Sequence, residues 1–139
     1  MMLYMLDTNA CIGIINNKPT VLRQKLFQVA VEQVAISQIV LYELEYGICR
    51  SQHQQRNRDN LNNFLKYIQV LDWGEEQSQE AALVRCELMQ LGQPIGHYDT
   101  LIAAHARSLK ATLVTHNVRE FERVQGLLLE DWEFNEGHL

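Results

Sequence analysis

Residues 3–16 read Leu-Tyr-Met-Leu-Asp-Thr-Asn-Ala-Cys-Ile-Gly-Ile-Ile-Asn. Leu3–Leu6 is a short, uniformly apolar run and predicts a strand buried on both faces. Asp7 or Thr8 then opens a helix over 8–16, both being residue types that begin helices. A buried strand that turns at once into a helix starts a parallel β-α-β unit. The alternation recurs along the chain. Val34–Ser37 predicts a second strand, followed by a helix over 38–50 that is apolar on most sides and reads as largely buried. Gln69–Asp72 is a third strand candidate ahead of a helix over 75–91, acidic in its first turn and stopped by Gly92. Ala111–Thr115 is a fourth strand, and Leu127–Glu130 adds an edge strand. Further helices are predicted over about 19–29, with Pro19 near the first turn, over 53–67 and over 99–109, with a turn and short helix over 117–124. The pattern gives an α/β domain with a mostly parallel sheet.

The rest of the sequence bounds what such a domain does. A chain of 139 residues, 47% hydrophobic, suits a single domain over 1–133 with a short polar tail over 134–139. It can bury about two-thirds of its unfolded surface, so folding needs no staple. Twelve Lys and Arg against seventeen Asp and Glu give a net charge of −5, which argues against a global positive field for nucleic acid but leaves room for a local basic patch. Cys11, Cys49 and Cys86 are scattered and odd in number, with no C-x-x-C pair, and read as buried thiols of a reducing cytosol. The opening MMLYML lacks the basic region and apolar length of a signal peptide, and no stretch is long enough to span a membrane.

Four polar residues fall where an α/β sheet binds ligands, beyond the carboxyl ends of its strands. Asp7 follows the first strand and Asn117 the fourth, Asp99 starts a helix, and Glu43 lies between Ile39, Val40 and Tyr46 on a wheel of the 38–50 helix. Each has a plain structural role open to it. Asp7 and Asp99 can be helix caps, Asn117 can serve a turn, and Glu43 can pair with an arginine such as Arg50 or reach solvent. Read together, the acids converge at one end of the sheet, where mutual repulsion calls for a hard divalent cation. Oxygen ligands select Mg²⁺ or Mn²⁺, and such an ion activates water.

These residues carry a family resemblance. LDTN (6–9) resembles the first motif of PIN-domain ribonucleases, SQIVLYELEYG (37–47) the second and GQPIGHYDTLIAAHA (92–106) the third. LVTHNVREFERV (113–124), with Gly126-Leu127 and EDW (130–132), is similar to the end of the VapC toxin branch. The likeness runs from Leu3 to Trp132. It implies a central parallel sheet of about five strands flanked by helices, a homodimer, and Mg²⁺- or Mn²⁺-dependent cleavage of structured RNA, often tRNA, with arrest of translation. It implies neutralisation by a VapB-type antitoxin, through which alone the pair binds its operator DNA. Asp7, Glu43 and Asp99 become the catalytic, metal-binding acids, with Asn117 beside them and Thr8 and Thr115 orienting ligands or water. Many PIN domains carry a fourth acid where this chain has Asn117, a neutral and weaker ligand. Glu120, three residues on, is open either to assisting the site or to a surface role. Metal-activated water would leave 5′-phosphate and 3′-hydroxyl ends.

Residues 50–66 hold Arg50, Arg56, Arg58 and Lys66 against one acid, a local charge of +3, while the rest of the chain carries −8. This strip is a candidate phosphate-contact surface, or else a solvated helix face. His97 and Tyr98 can stack a base, contact a phosphate, or pack the loop. Trp73 and Trp132 read as core or dimer anchors. A phosphoacceptor receiver domain and a D-x-D phosphatase are disfavoured, since Asn9 stands where a second acid is needed. A non-catalytic or housekeeping PIN-like RNA-binding protein is the alternative that intact acids argue against.

Overall fold

A computed structural model of the chain describes residues 2–134. Most of the 134–139 tail lies outside them. Five three- or four-residue strands, β1 (Tyr4–Leu6), β2 (Val34–Ser37), β3 (Gln69–Leu71), β4 (Thr112–Val114) and β5 (Leu128–Glu130), form one sheet in the order β3-β2-β1-β4-β5. Every pairing is parallel, with Leu6 opposite Val114 and Ser37 opposite Leu71. The central strands are nearly solid hydrocarbon because helices cover both faces, whereas β3 and β5 at the edges keep exposed positions.

Seven helices flank the sheet: α1 (Thr8–Asn16), α2 (Val21–Leu26), α3 (Gln38–Cys49), α4 (Gln54–Phe64), α5 (Glu75–Gln90), α6 (His97–Ser108) and α7 (Val118–Phe121). Gly92, at φ +66°, ends α5 as its position predicts, since it turns the chain where a side chain would be strained. Three expectations change. The second helix is shorter than 19–29, because Pro19 precedes the cap residue Thr20 rather than lying inside the first turn. A 3₁₀ turn at Val31–Gln33, which the sequence did not signal, leads into β2. Helix α3 is buried only along Val40, Leu44 and Ile48, and it turns Tyr42 and Tyr46 to solvent.

Trp132 is 2% exposed and closes the core against Tyr4. Trp73 stands edge-on to the buried His105, whose Nδ1 lies 2.7 Å from the Ser37 hydroxyl. Of the cysteines only Cys11 is buried; Cys49 and Cys86 are exposed free thiols, contrary to expectation. Among the described residues no helix is long and apolar enough to cross a membrane.

One ion-pair network ties α5 to α6. The Arg107 guanidinium reaches Glu80 and Glu87, each at 2.9 Å, and the Gln125 carbonyl at 2.9 Å, with its side chain 14% exposed. Removing it leaves two partly buried carboxylates without a counter-charge. Arg107→Met is expected to lower unfolding stability by about 1–3 kcal/mol, read as a shift in urea midpoint with unchanged slope.

Candidate active site

The chain runs from β1 to β2 on one side and places β4 on the other, so the sheet order reverses beside β1. Such a switch point leaves a crevice beyond the carboxyl ends of the strands. Asp7 enters it from β1, its N–H bonded to the Val114 carbonyl at 3.0 Å, and Thr115 enters from the end of β4. Asp7 is 5% exposed and caps α1, its Oδ1 accepting the Ala10 N–H at 2.8 Å. Capping uses one of the two oxygens, so it leaves the carboxylate's other oxygen open to a further contact. Burial raises the Asp7 carboxyl above the ordinary range, the Thr115 hydroxyl and Ala10 N–H act against that, and Glu133 and Glu43 raise it further.

Glu43 comes from α3. Thr8 donates its hydroxyl to Glu43 Oε1 at 2.6 Å, joining the first turn of α1 to the middle of α3. The Arg50 partner considered from the sequence is engaged elsewhere, with its guanidinium 5.5 Å from the centroid of the Tyr46 ring. Asp99 comes from α6, and its cap reading is corrected: the helix begins at His97 with Gly96 as cap residue, so Asp99 lies inside the first turn. That places its carboxylate in the crevice instead of on its own backbone. Burial, then the charges of Glu120, Asp7 and Glu43, push Asp99 up to about 6. All the charges acting on it are acidic.

Glu120, which the sequence leaves open to either the site or the surface, acts on Asp99 from α7. Its Oε2 accepts from the Asn117 side-chain amide at 2.7 Å and its Oε1 from the Gly96 N–H at 3.2 Å. Its charge is the largest acting on Asp99. Asn117 thus enters the site through Glu120, with its own N–H held by Thr115 Oγ1 at 3.0 Å. A carboxylate absent at 117 is thus present three residues later, where it acts on Asp99. The available signal was the Asn117-to-Glu120 spacing, that of a helix cap residue and the third helical position, whose side chains can meet.

Other predicted residues separate. Arg58 forms a two-pronged pair with Glu45, 2.8 Å on one arm, which raises the guanidinium and lowers the carboxyl. Arg56 is exposed. His97 lies on the α5 side, lining a cavity of about 180 Å³ with Arg85 and Met89, away from the acids. A larger cleft of about 500 Å³ runs from Thr8 and Glu43 past Tyr46 to Arg50, Asn57 and Leu61. At the rim, His116 Nδ1 is 3.0 Å from Asp131 and 3.6 Å from Glu133. Among the described residues this is the one trio of potential ligands within 4.8 Å; no three of the four acids approach so closely.

Three comparisons bear on this geometry. The PIN domain family model matches residues 4–127. A protein of Shigella flexneri called tRNA(fMet)-specific endonuclease VapC is 43% identical, covering 95% of this chain and 99% of that protein. Ribonuclease VapC2 of Rickettsia felis is 41% identical, with coverage of 95% and 99%. Among solved structures, VapBC2 from Rickettsia felis bound to a promoter DNA fragment superposes with a TM-score of 0.89 at 40% identity, covering 95% of this chain and 100% of that one. DNA-bound VapBC from Salmonella typhimurium gives 0.89 at 41% identity, with coverage of 95% and 99%.

Proposed function

This chain belongs to the PIN-domain family, among its VapC ribonucleases, and we propose that it is the toxin of a type II toxin–antitoxin pair. It is a Mg²⁺- or Mn²⁺-dependent endoribonuclease that cleaves tRNA, acts in the cytoplasm as a homodimer and arrests translation. A VapB-type antitoxin holds it inactive and carries the pair to operator DNA. The name of the Shigella flexneri relative, tRNA(fMet)-specific endonuclease VapC, makes that tRNA the first substrate to try. The solved VapBC complexes on promoter DNA support the antitoxin partner. The observation that carries the catalytic part is the convergence of Asp7, Glu43, Asp99 and Glu120 from four elements, with Asp99 driven to about 6 by burial and by the other three.

Carboxylates that destabilise one another form a hard oxygen donor set, which fits Mg²⁺ or Mn²⁺ better than zinc or copper. Bound there, such an ion supplies the acidity that makes water a nucleophile at neutral pH and offsets charge on the scissile phosphate. The chain's residues do the positioning. Asp7 is fixed by its cap and Thr115, Glu43 by Thr8, and Glu120 by Asn117 and the Gly96 N–H, so that each carboxylate keeps an orientation set by hydrogen bonds to its neighbours. Departure of the ribose 3′-oxygen leaves 5′-phosphate and 3′-hydroxyl ends.

The test is purified protein on a tRNA(fMet) transcript with Mg²⁺ or Mn²⁺, beside Asp7→Ala. Wild type cuts at discrete sites, EDTA abolishes cutting, and Asp7→Ala is inactive. Saturating ion also raises the melting temperature of wild type, by an amount equivalent to about 2.7 kcal/mol at a hundredfold excess over Kd. Equal cutting by both proteins, or cyclic-phosphate ends, overturns the mechanism.

A further inference from the structure

Two tyrosines stand immediately beside the catalytic acids and remain about half exposed although they touch each other. Tyr42 precedes Glu43 on α3, and Tyr98 precedes Asp99 on α6. Their rings meet across the two helices with centroids 5.6 Å apart at 46°, and their hydroxyls are 3.4 Å apart. Yet Tyr42 is 53% exposed and Tyr98 46%. Tyr46, one turn after Tyr42 on the same face, is 58% exposed, and Arg50, one turn further, lies over its ring. The order along this surface is therefore the acids, the Tyr42–Tyr98 pair, Tyr46, then a cation. Tyr46 and Arg50 also line the cleft that begins at Thr8 and Glu43.

We propose that Tyr42 and Tyr98 form a stacking seat for an unpaired RNA base flanking the scissile phosphate, and that Tyr46 with Arg50 extends this track by one nucleotide. The inference rests on the endoribonuclease reading and adds to it the element that sets which bond is presented to the acids. Exposed aromatic faces pack well against nucleobases, and an arginine 5.5 Å from the Tyr46 ring centroid offers charge to the next phosphate. The seat adjoins a cleft lined by both Glu43 and the cation Arg50, and this pairing of an acid with a phosphate-binding charge beside open aromatic rings favours RNA over a second copy of this chain as its occupant. The tyrosines bring no positive charge to the acids, so they can hold substrate without displacing a metal ion.

The experiment pairs protein and RNA changes. The cut in the tRNA(fMet) transcript is mapped, and transcripts are then made with an abasic or a 2-aminopurine nucleotide on either side of it. Tyr42→Ala and Tyr98→Ala are expected to lower kcat/KM by about 5- to 150-fold, the range for losing one stacked base. Tyr42→Phe and Tyr98→Phe keep the ring and stay within about threefold of wild type. With the abasic transcript, wild type loses the same factor and the alanine variants lose little more. In EDTA, wild type and the phenylalanine variants quench 2-aminopurine and the alanine variants do not. This readout does not depend on cleavage, so it separates failure of the seat from failure of the nuclease reading, which the Asp7→Ala comparison decides. Equal impairment by Phe and Ala overturns the seat. So does an undiminished wild-type rate on abasic RNA, or alanine variants that change oligomeric state while quenching persists.

Discussion

Asp99→Asn is expected to abolish RNA cleavage, by at least ~10³-fold, and at the same time to make the metal-free protein more stable at pH 7.5. The two effects have one cause. Asp99 is pushed from the ordinary 3.8 to about 6 by burial and by Glu120, Asp7 and Glu43. A carboxyl raised in the folded state binds its proton more tightly there than when unfolded. It therefore contributes stability that is fully present below pH 3.8 and is lost as pH rises through about 6. Above that, the ionised group opposes folding. Asparagine has nearly the shape of the protonated acid and cannot ionise, so the variant is expected to gain about 1–2 kcal/mol at pH 7.5, after allowance for partial solvent screening. That corresponds to roughly 3–8 °C in melting temperature. At pH 3.5 the two proteins should melt alike. Saturating Mg²⁺ at pH 7.5 should stabilise wild type far more than the variant. Calorimetry at two pH values, with and without the ion, reads all of this. A variant that melts lower than wild type without metal at pH 7.5 would show that Asp99 serves the fold.

The parts of this molecule legible in the sequence are those with a local signal. Central strands covered on both faces must be nearly all apolar, and 34–37 is observed as read. Asp7 was legible because strand, carboxylate and helix follow one another without a gap. Glu43 stood out as a carboxylate among apolar neighbours, although its partner turned out to be Thr8 rather than Arg50. The rest was not legible where local pattern and tertiary placement part. Tyr42 and Tyr46 count as apolar on a wheel, yet a tyrosine presents a polar tip and tolerates solvent, so α3 buries one stripe only. Asp99 looks like a helix start, but Gly96 takes the cap position and shifts the aspartate into the first turn. Arg58 read as free for phosphate, yet it meets Glu45 across thirteen residues and two helices, where no local pattern reports the contact. Glu120 sits on a four-residue helix, too short for a periodic signal to show which way it points.

The placement of Glu120 yields the second large expected effect. If the fourth carboxylate of the site is Glu120, then Glu120→Gln is expected to lower kcat/KM by about 10²–10³-fold. Glutamine keeps the acceptor oxygen that Gly96 needs and removes the charge that acts on Asp99, so a loss of this size belongs to charge and not to a collapsed loop. Asn117 should respond differently. Its amide donates to Glu120 Oε2 at 2.7 Å, and no negative charge on Asn117 itself is involved. Asn117→Ala frees the glutamate without changing the site's charge, and is expected to cost about 10- to 100-fold, the range for a residue that orients a ligand. Asn117→Asp discriminates best. Were position 117 the missing metal ligand, an aspartate there would restore it and raise activity. With the geometry observed, it sets two carboxylates against each other in place of a hydrogen bond. Activity should then fall below that of Asn117→Ala at low Mg²⁺ and recover partly as the ion is raised. Titration of kcat/KM against Mg²⁺ for the three variants separates these outcomes, and an Asn117→Asp protein more active than wild type at low Mg²⁺ would return the fourth ligand to position 117.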